Sequence, residues 1–404
     1  MKISEYKISK DSILVLIFSI LSFFSIDFIG RLKFSELFAL LVVSASFFLQ
    51  RKEKSKGFYL IVLGYLVILL GLIITDIYNS TPIKDLLKGW AMVGIGLVTI
   101  IFLTTRFTEN FGNVYLYLIS LSVLMLFNID DNIMKNSNYF KTAYAPALIP
   151  IFSIIANWLW SKKQYLSILF ILACGILFIL LDARAYGVIF VFASCIILFH
   201  LKSKNFEFKV KILYLVSISF LMYGLYAFYA YQVVNHDFGG TNTKQLTVLK
   251  NPYNPFELVL EGRKEILVSI QAIKDRPFLG FGSWARDKDK KYERKLNSLQ
   301  KTTSYEIPLG VIPKHSVLLG AWIWGGIISL IGVIIVVFSM FAMFIARLHQ
   351  NHEWLPIISI YYIFSLWSLF FSPVGHLRET YPFIISLLIV TALPYYQNKR
   401  FMIK

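Results

Sequence analysis

Only two cysteines, Cys174 and Cys195, occur in 404 residues, and both lie inside apolar runs. They read as packing residues rather than as a disulfide or a thiolate metal site. The chain also lacks an internal repeat, a low-complexity tract and a glycine-rich loop of the kind that cradles phosphate, which excludes solenoid and nucleotide-loop readings. Acidic residues are scarce, 23 against 40 Lys and Arg, for a net charge of +17. The first apolar run has the basic flank of a signal sequence but no small-residue cleavage site, so it reads as a retained first helix. Long polar stretches are confined to one segment, about residues 234–314.

What fills the rest is hydrophobic. Such residues make up 57% of the chain, well above the roughly 45–50% of an ordinary soluble domain. Apolar runs recur from end to end, each long enough for a helix to cross about 30 Å of hydrocarbon. Reading them against their polar interruptions predicts helices at 13–30, 34–50, 57–75, 85–104, 112–128, 141–160, 165–181, 185–201, 212–233, 316–346, 354–371 and 380–396. The expected fold is an all-α, polytopic membrane bundle of about 12 transmembrane helices. Residues 1–233 carry nine spans, 234–314 form a large outer loop, and 315–404 carry three more.

In a soluble protein the excess of positive charge would suggest nucleic acid as a partner. Here most Lys and Arg lie in short loops between apolar runs, so the charge reports topology and nucleic acid is not expected. With the N-terminus inside, the inner loops hold 18 Lys and Arg, the short outer connections eight, and the long segment 14 of the 40. The positive-inside rule then places both termini in the cytoplasm and the long segment outside.

Within that segment, Glu257–Asp275 places Leu260, Ile266, Leu267, Ile270 and Ile273 at helical spacing, which predicts an amphipathic helix ended by Arg276-Pro277. Asp287–Lys295 alternates in sign and reads as a solvated helical face. Asp287 and Asp289 form a D-x-D that invites a metal, but the surrounding lysines and arginine neutralise it, and no metal is expected there.

Charges at membrane depth or at the mouth of a span need a reason. The candidates are few: Lys88 in LLKGWAM, Lys141 in YFKTAYAP, Arg184 in LLDARAYGV, His315 in IPKHSVLLGAW and Arg378 in SPVGHLRETYPF. All fall on the outer side of the expected topology, and Arg263 in the outer loop joins them. Lys88 and Lys141 also suit lipid-facing snorkelling, and Asp182–Arg184 a purely structural pair. Together they suggest an anion gripped by arginine, whose guanidinium fork matches phosphate oxygens, and a hydroxyl activated by neutral His315, with Lys314 beside it to keep it unprotonated.

This pattern resembles the O-antigen polymerase and O-antigen ligase superfamily of bacterial envelope glycosyltransferases. The matching stretches are Asp182-Ala183-Arg184, then Gly262-Arg263 leading to Arg276-Pro277-Phe278-Leu279-Gly280-Phe281-Gly282, then Pro313-Lys314-His315-Ser316 ahead of Trp324-Gly325-Gly326. Asp76 through Leu87-Lys88-Gly89 and Phe140-Lys141 resemble weaker family patterns. Many members have Asn at the position of Ser316, and Arg is common at that of Lys88. The resemblance implies a GT-C type bundle in the bacterial cytoplasmic (inner) membrane that transfers glycan from undecaprenyl diphosphate without metal or cofactor. It implies His315 as the catalytic base and Arg184, Arg263, Arg378 and Lys88 as ligands of the donor diphosphate.

The reading favoured is an inverting polymerase of lipid-linked repeat units, its partners being that donor, a glycan hydroxyl acceptor, membrane lipid and a chain-length regulator. The alternatives are a ligase delivering the glycan to lipid A core, and a transporter or flippase of the same lipid-linked glycan. A transporter predicts midplane charges and related halves, neither of which the sequence displays.

Overall fold

The computed structural model describes residues 9–47, 55–127, 139–203, 208–236, 246–247, 249–299, 310–350 and 352–392. Several expectations lie outside these residues: the inner cations Lys2, Lys7, Arg51, Lys52, Lys54, Lys204, Lys399, Arg400 and Lys404, the outer Lys135, and loop stretches 237–245 and 300–309.

Each expected span overlaps a helix among the described residues, the first only in part. In chain order these are α1 (Lys10–Leu21), α2 (Phe34–Phe47), α3 (Lys56–Tyr78), α4 (Ile83–Glu109), α5 (Gly112–Phe127), α6 (Ala145–Lys162, entered through a π-turn at Phe140–Tyr144), α7 (Gln164–Leu180), α8 (Arg184–Ser203) and α9 (Phe208–His236). The shorter helices α10 (Pro255–Glu261), α11 (Glu265–Asp275) and α12 (Lys291–Leu299) follow, then α13 (Val317–His349), α14 (Leu355–Phe371), the single turn α15 (His376–Glu379) and α16 (Tyr381–Thr391). Among the described residues five stretches are long and apolar enough to cross a membrane: Lys56–Tyr78, Ile83–Glu109, Phe140–Lys162, Arg184–Lys202 and Val317–His349. Five shorter apolar helices pack with them. The fold is thus all-α with the character of a membrane protein; its one sheet among the described residues is a small hairpin, β1 (Ser25–Asp27) with β2 (Arg31–Lys33).

That hairpin corrects the first expected span, 13–30. Helix α1 stops at Leu21, where Ser22 turns its hydroxyl back onto the Ser19 carbonyl. The chain then folds over the Asp27-Phe28-Ile29-Gly30 turn, because Ser, Asp and Gly favour turns over helix continuation.

The tightest helix pair is α3 with α13. Gly64, Gly71, Gly325, Ser329 and Gly332 let the two backbones touch: a Cβ on Gly64 would stand 2.6 Å from the Val336 side chain. The Ser329 hydroxyl bridges to the Ile68 carbonyl at 2.9 Å. Small residues at a crossing permit this dispersion-rich approach, the usual way helices associate where lipid removes the hydrophobic drive. The opposite side of α3 exposes Leu60, Leu63, Leu66 and Leu70. A helix apolar all round, buried on one side only, suits a lipid-facing position.

The segment expected to form the outer loop is joined to this pair. Helix α13 breaks at Gly325–Gly326, where Gly326 takes φ +64°, a left-handed conformation open mainly to glycine. The freed backbone groups are satisfied by the loop: Phe281 N–H donates to the Ile323 carbonyl (2.7 Å), Gly282 N–H to Trp324 (3.0 Å), and Ile327 N–H to Phe278 (3.0 Å). The Trp322 indole donates to the Pro277 carbonyl at 2.6 Å. The Pro-x-x-Gly-x-Gly and Trp-Gly-Gly stretches are therefore two halves of one joint. Nearby, buried Asp76 accepts from the Trp90 indole (2.9 Å), Ser283 N–H (2.6 Å) and Ser283 hydroxyl (2.7 Å), tying the loop to α3 and α4.

The expected amphipathic helix over Glu257–Asp275 is two helices, parted by a turn at Gly262–Lys264. Its buried face is Val268, Ser269, Ala272 and Ile273, while Leu260, Leu267 and Ile270 remain exposed. Gly262 lowers helical propensity at the break, and Lys264 closes the turn by pairing with Glu261.

Candidate functional site

The candidate cations come from turns that collect at one end of the bundle. Helix α7 ends in a tight αL turn: Asp182 has φ +63° and Ala183 N–H donates back to the Phe178 carbonyl at 2.8 Å. This closes the orphan carbonyls of α7 and makes Arg184 the first residue of α8. There Arg184 lies 3.5 Å from the Asp182 carboxylate and 5.9 Å from the centroid of the Tyr229 ring on α9. Lys141, on the π-turn leading into α6, feels the charges of Arg184, Arg263 and Asp182. Arg263 sits in the turn before α11 and donates to the adjacent Gly262 carbonyl at 3.1 Å. Three turns far apart in sequence therefore deliver Lys141, Arg184 and Arg263 to one neighbourhood in which Asp182 is the carboxylate acting on Lys141. Neither Lys141 nor Arg263 has a carboxylate partner among the described residues.

His315 extends the cluster. It precedes α13, whose N-cap is Ser316: the hydroxyl accepts from Leu319 N–H (3.2 Å) and donates to the Leu369 carbonyl of α14 (2.9 Å). Ser316 thus pins the backbone that carries the imidazole. Burial, followed by the charges of Arg263 and His376, pushes His315 down to about 4, so the ring is neutral at pH 7. Sequence reasoning assigned this lowering to Lys314; its sources are burial, Arg263 and His376. Lys314 is itself pushed down to about 7 by burial.

His376 was missed by the sequence reading. It lies two residues before Arg378 in the same turn, which was the available signal, and its Nδ1 is 3.1 Å from the Thr380 hydroxyl. Burial lowers its pKa as well.

Two expected diphosphate ligands stand elsewhere. The Arg378 guanidinium forks onto both oxygens of buried Glu36 and donates to the Arg31 carbonyl at 2.9 Å. Its charge is already neutralised by a bidentate carboxylate, and its work here is to fasten α15 to the β-hairpin and α2. Lys88 places its Nζ 4.8 Å from the centroid of the Trp284 ring. Asp287 is a helix cap: its oxygens accept from the N–H groups of Lys291 (3.0 Å), Tyr292 (2.9 Å) and Glu293 (2.9 Å) at the start of α12. That engagement explains the D-x-D without a metal.

Electrostatically the cluster is unbalanced. Arg184 heads α8 and Lys141 and Arg263 precede α6 and α11, so cations occupy helix ends where the backbone dipole already favours negative charge. Such an arrangement is relieved by a polyanion whose oxygens span several donors. Against the known proteins, no family model matches this chain and no curated protein matches it.

Proposed function

We propose that the chain is an inverting, metal-independent glycosyltransferase that polymerises lipid-linked oligosaccharide repeat units at the outer face of the bacterial cytoplasmic membrane. The observation that carries this reading is the meeting of Lys141, Arg184 and Arg263 beside the neutral imidazole of His315. In this reading about 12 helices of a GT-C type bundle span the membrane, both termini are cytoplasmic, and undecaprenyl diphosphate carries the donor.

Arg184 and Arg263, supported by Lys141, hold the diphosphate and stabilise the charge that grows on it as the sugar leaves. The acceptor hydroxyl attacks the anomeric carbon from the opposite side. A new C–O bond forms, the bond from the anomeric carbon to the phosphate oxygen breaks, and the hydroxyl proton passes to His315. Free, His315 is a weak base, because burial and the charge of Arg263 lower its pKa. A bound diphosphate neutralises Arg263 and so raises the imidazole towards working range, coupling base strength to donor occupancy.

The test is incubation of the purified chain with undecaprenyl-diphosphate-linked repeat units, with and without lipid A core. Elongated lipid-linked glycan without core is the expected result. Transfer only onto core, or no transfer with intact donor binding, overturns the polymerase reading.

A further inference from the structure

Next to the proposed transfer centre lies a column of side chains that the transfer step does not use. The Nζ of Lys88 is 4.8 Å from the Trp284 ring centroid, the Trp284 and Trp324 rings are 5.8 Å apart, and the Nζ of Lys314 is 4.4 Å from the Trp324 centroid. The column connects α4, the outer loop and α13, and through Lys314 it abuts His315.

Three features set it apart from ordinary packing. Trp284 holds φ +62° and Ala285 φ +26°, conformations in which a bulky L-residue is strained. The strained turn is held by Ala285 N–H donating to Gly282 (3.0 Å) and by Ile312 N–H donating to Ala285 (2.8 Å), and it presents the Trp284 ring 38% exposed. Trp324 is only 4% exposed, yet its indole N–H has no acceptor. Buried indole N–H groups ordinarily find one. Finally, neither Lys88 nor Lys314 has a carboxylate partner among the described residues.

The column therefore offers an aromatic face, an unpaired N–H and two ammonium groups, with no acceptor of its own. A neutral sugar would stack on the indole but leave both charges unmet. A small inorganic anion would meet the charges and the N–H but leave the aromatic face unused. A ring with an apolar C–H face and a carboxylate uses all of them. Lys314, shifted to about 7 by burial, is the kind of desolvated ammonium that gains most from such a partner.

Building on the transfer reading above, we propose that Lys88, Trp284, Trp324 and Lys314 form a sugar subsite selective for a carboxylate-bearing pyranose, so that the glycan handled here is acidic.

The test uses water-soluble glycans and the full chain in detergent, without lipid diphosphate. Calorimetry compares a galacturonic-acid trisaccharide, the matching galactose trisaccharide, galactose 6-phosphate and inorganic phosphate. The acidic trisaccharide is expected to bind at least about tenfold more tightly than the neutral one. Lys88→Gln with Lys314→Gln should erase that discrimination, and Trp284→Ala should weaken both trisaccharides. Equal binding of acidic and neutral sugars by the wild-type protein overturns the subsite without relying on any variant. So does discrimination that survives in the lysine double variant with an unchanged melting temperature. Tighter binding of galactose 6-phosphate than of the acidic trisaccharide, or complete displacement of that trisaccharide by equimolar inorganic phosphate, overturns the carboxylate assignment. Turnover on lipid-linked donor without acid discrimination removes the subsite and leaves the transfer reading, whereas discrimination without turnover removes the transfer reading.

Discussion

A diphosphate ligand and a general base fail in different ways, so single residues separate the roles assigned here. Arg263→Lys keeps the charge but loses the planar fork, and donor affinity should fall although the change looks conservative. His315→Ala should leave donor binding nearly intact while reducing turnover by about 10²-fold to 10⁴-fold; parallel measurement of kcat and donor affinity checks both, and equal loss of binding in the two variants would remove His315 as the base. Acidity gives a second handle. His315 is lowered from 6.5 to about 4 and His376 moves the same way, so the unfolded chain takes up protons that the folded chain refuses. Stability is therefore whole above about pH 6.5 and declines as pH falls towards 4. Thermal melts across that interval should show the decline, and His315→Gln should show less of it. Because a bound diphosphate neutralises Arg263, the acid limb of kcat should lie at higher pH than that of kcat/KM. Coincident limbs would show that donor and base are uncoupled.

At the scale of elements, the joint between the 249–299 segment and the broken helix α13 decides where Arg263 and His315 stand, since Arg263 precedes its first half and His315 lies between its two halves in the chain. A Cβ on Gly326 would run into the Phe278 carbonyl, and the residue holds φ +64°. Gly326→Ala should therefore cost about 2–4 kcal/mol, combining backbone strain with overpacking; melting temperature and protease sensitivity of the loop measure it. Helix existence was legible in the sequence because apolar runs between polar punctuation are a strong signal; Arg184 and His315 stood out because charges at span mouths are few, and Arg263 through the resemblance carried by Gly262-Arg263. The glycine pattern of the joint was also visible, but not its purpose, because its partners are carbonyls and amides of a helix more than 40 residues away, which carry no side-chain signature. For the same reason Arg378 read as a free cation: Glu36, which occupies its fork, lies 342 positions earlier. The turn that splits the loop helix escaped notice because Leu260, Ile266 and Leu267 keep helical spacing across it.

Over the whole molecule, the two ends of the bundle have different chemistry. At one end Lys141, Arg184, Arg263 and His315 gather, with Asp182 3.5 Å from Arg184 and, among the described residues, no carboxylate paired with Lys141 or Arg263. At the other, the buried cations are absorbed by the fold: Arg106 pairs with Asp11, and Arg347 donates to the Thr391 carbonyl at 2.5 Å. Unabsorbed charge belongs where a ligand arrives, and in the reading proposed here the positive-inside rule puts the first end outside. This orientation is open to direct measurement. In a chain with Cys174 and Cys195 replaced by alanine, Lys274→Cys in α11 and Lys163→Cys between α6 and α7 mark the two ends, and both positions are exposed. An impermeant maleimide should label Lys274→Cys on intact cells and Lys163→Cys only after the membrane is permeabilised. The reverse pattern would put the cationic cluster in the cytoplasm, where lipid-linked repeat units awaiting polymerisation at the outer face cannot reach it, and the proposed reaction would fall with the topology.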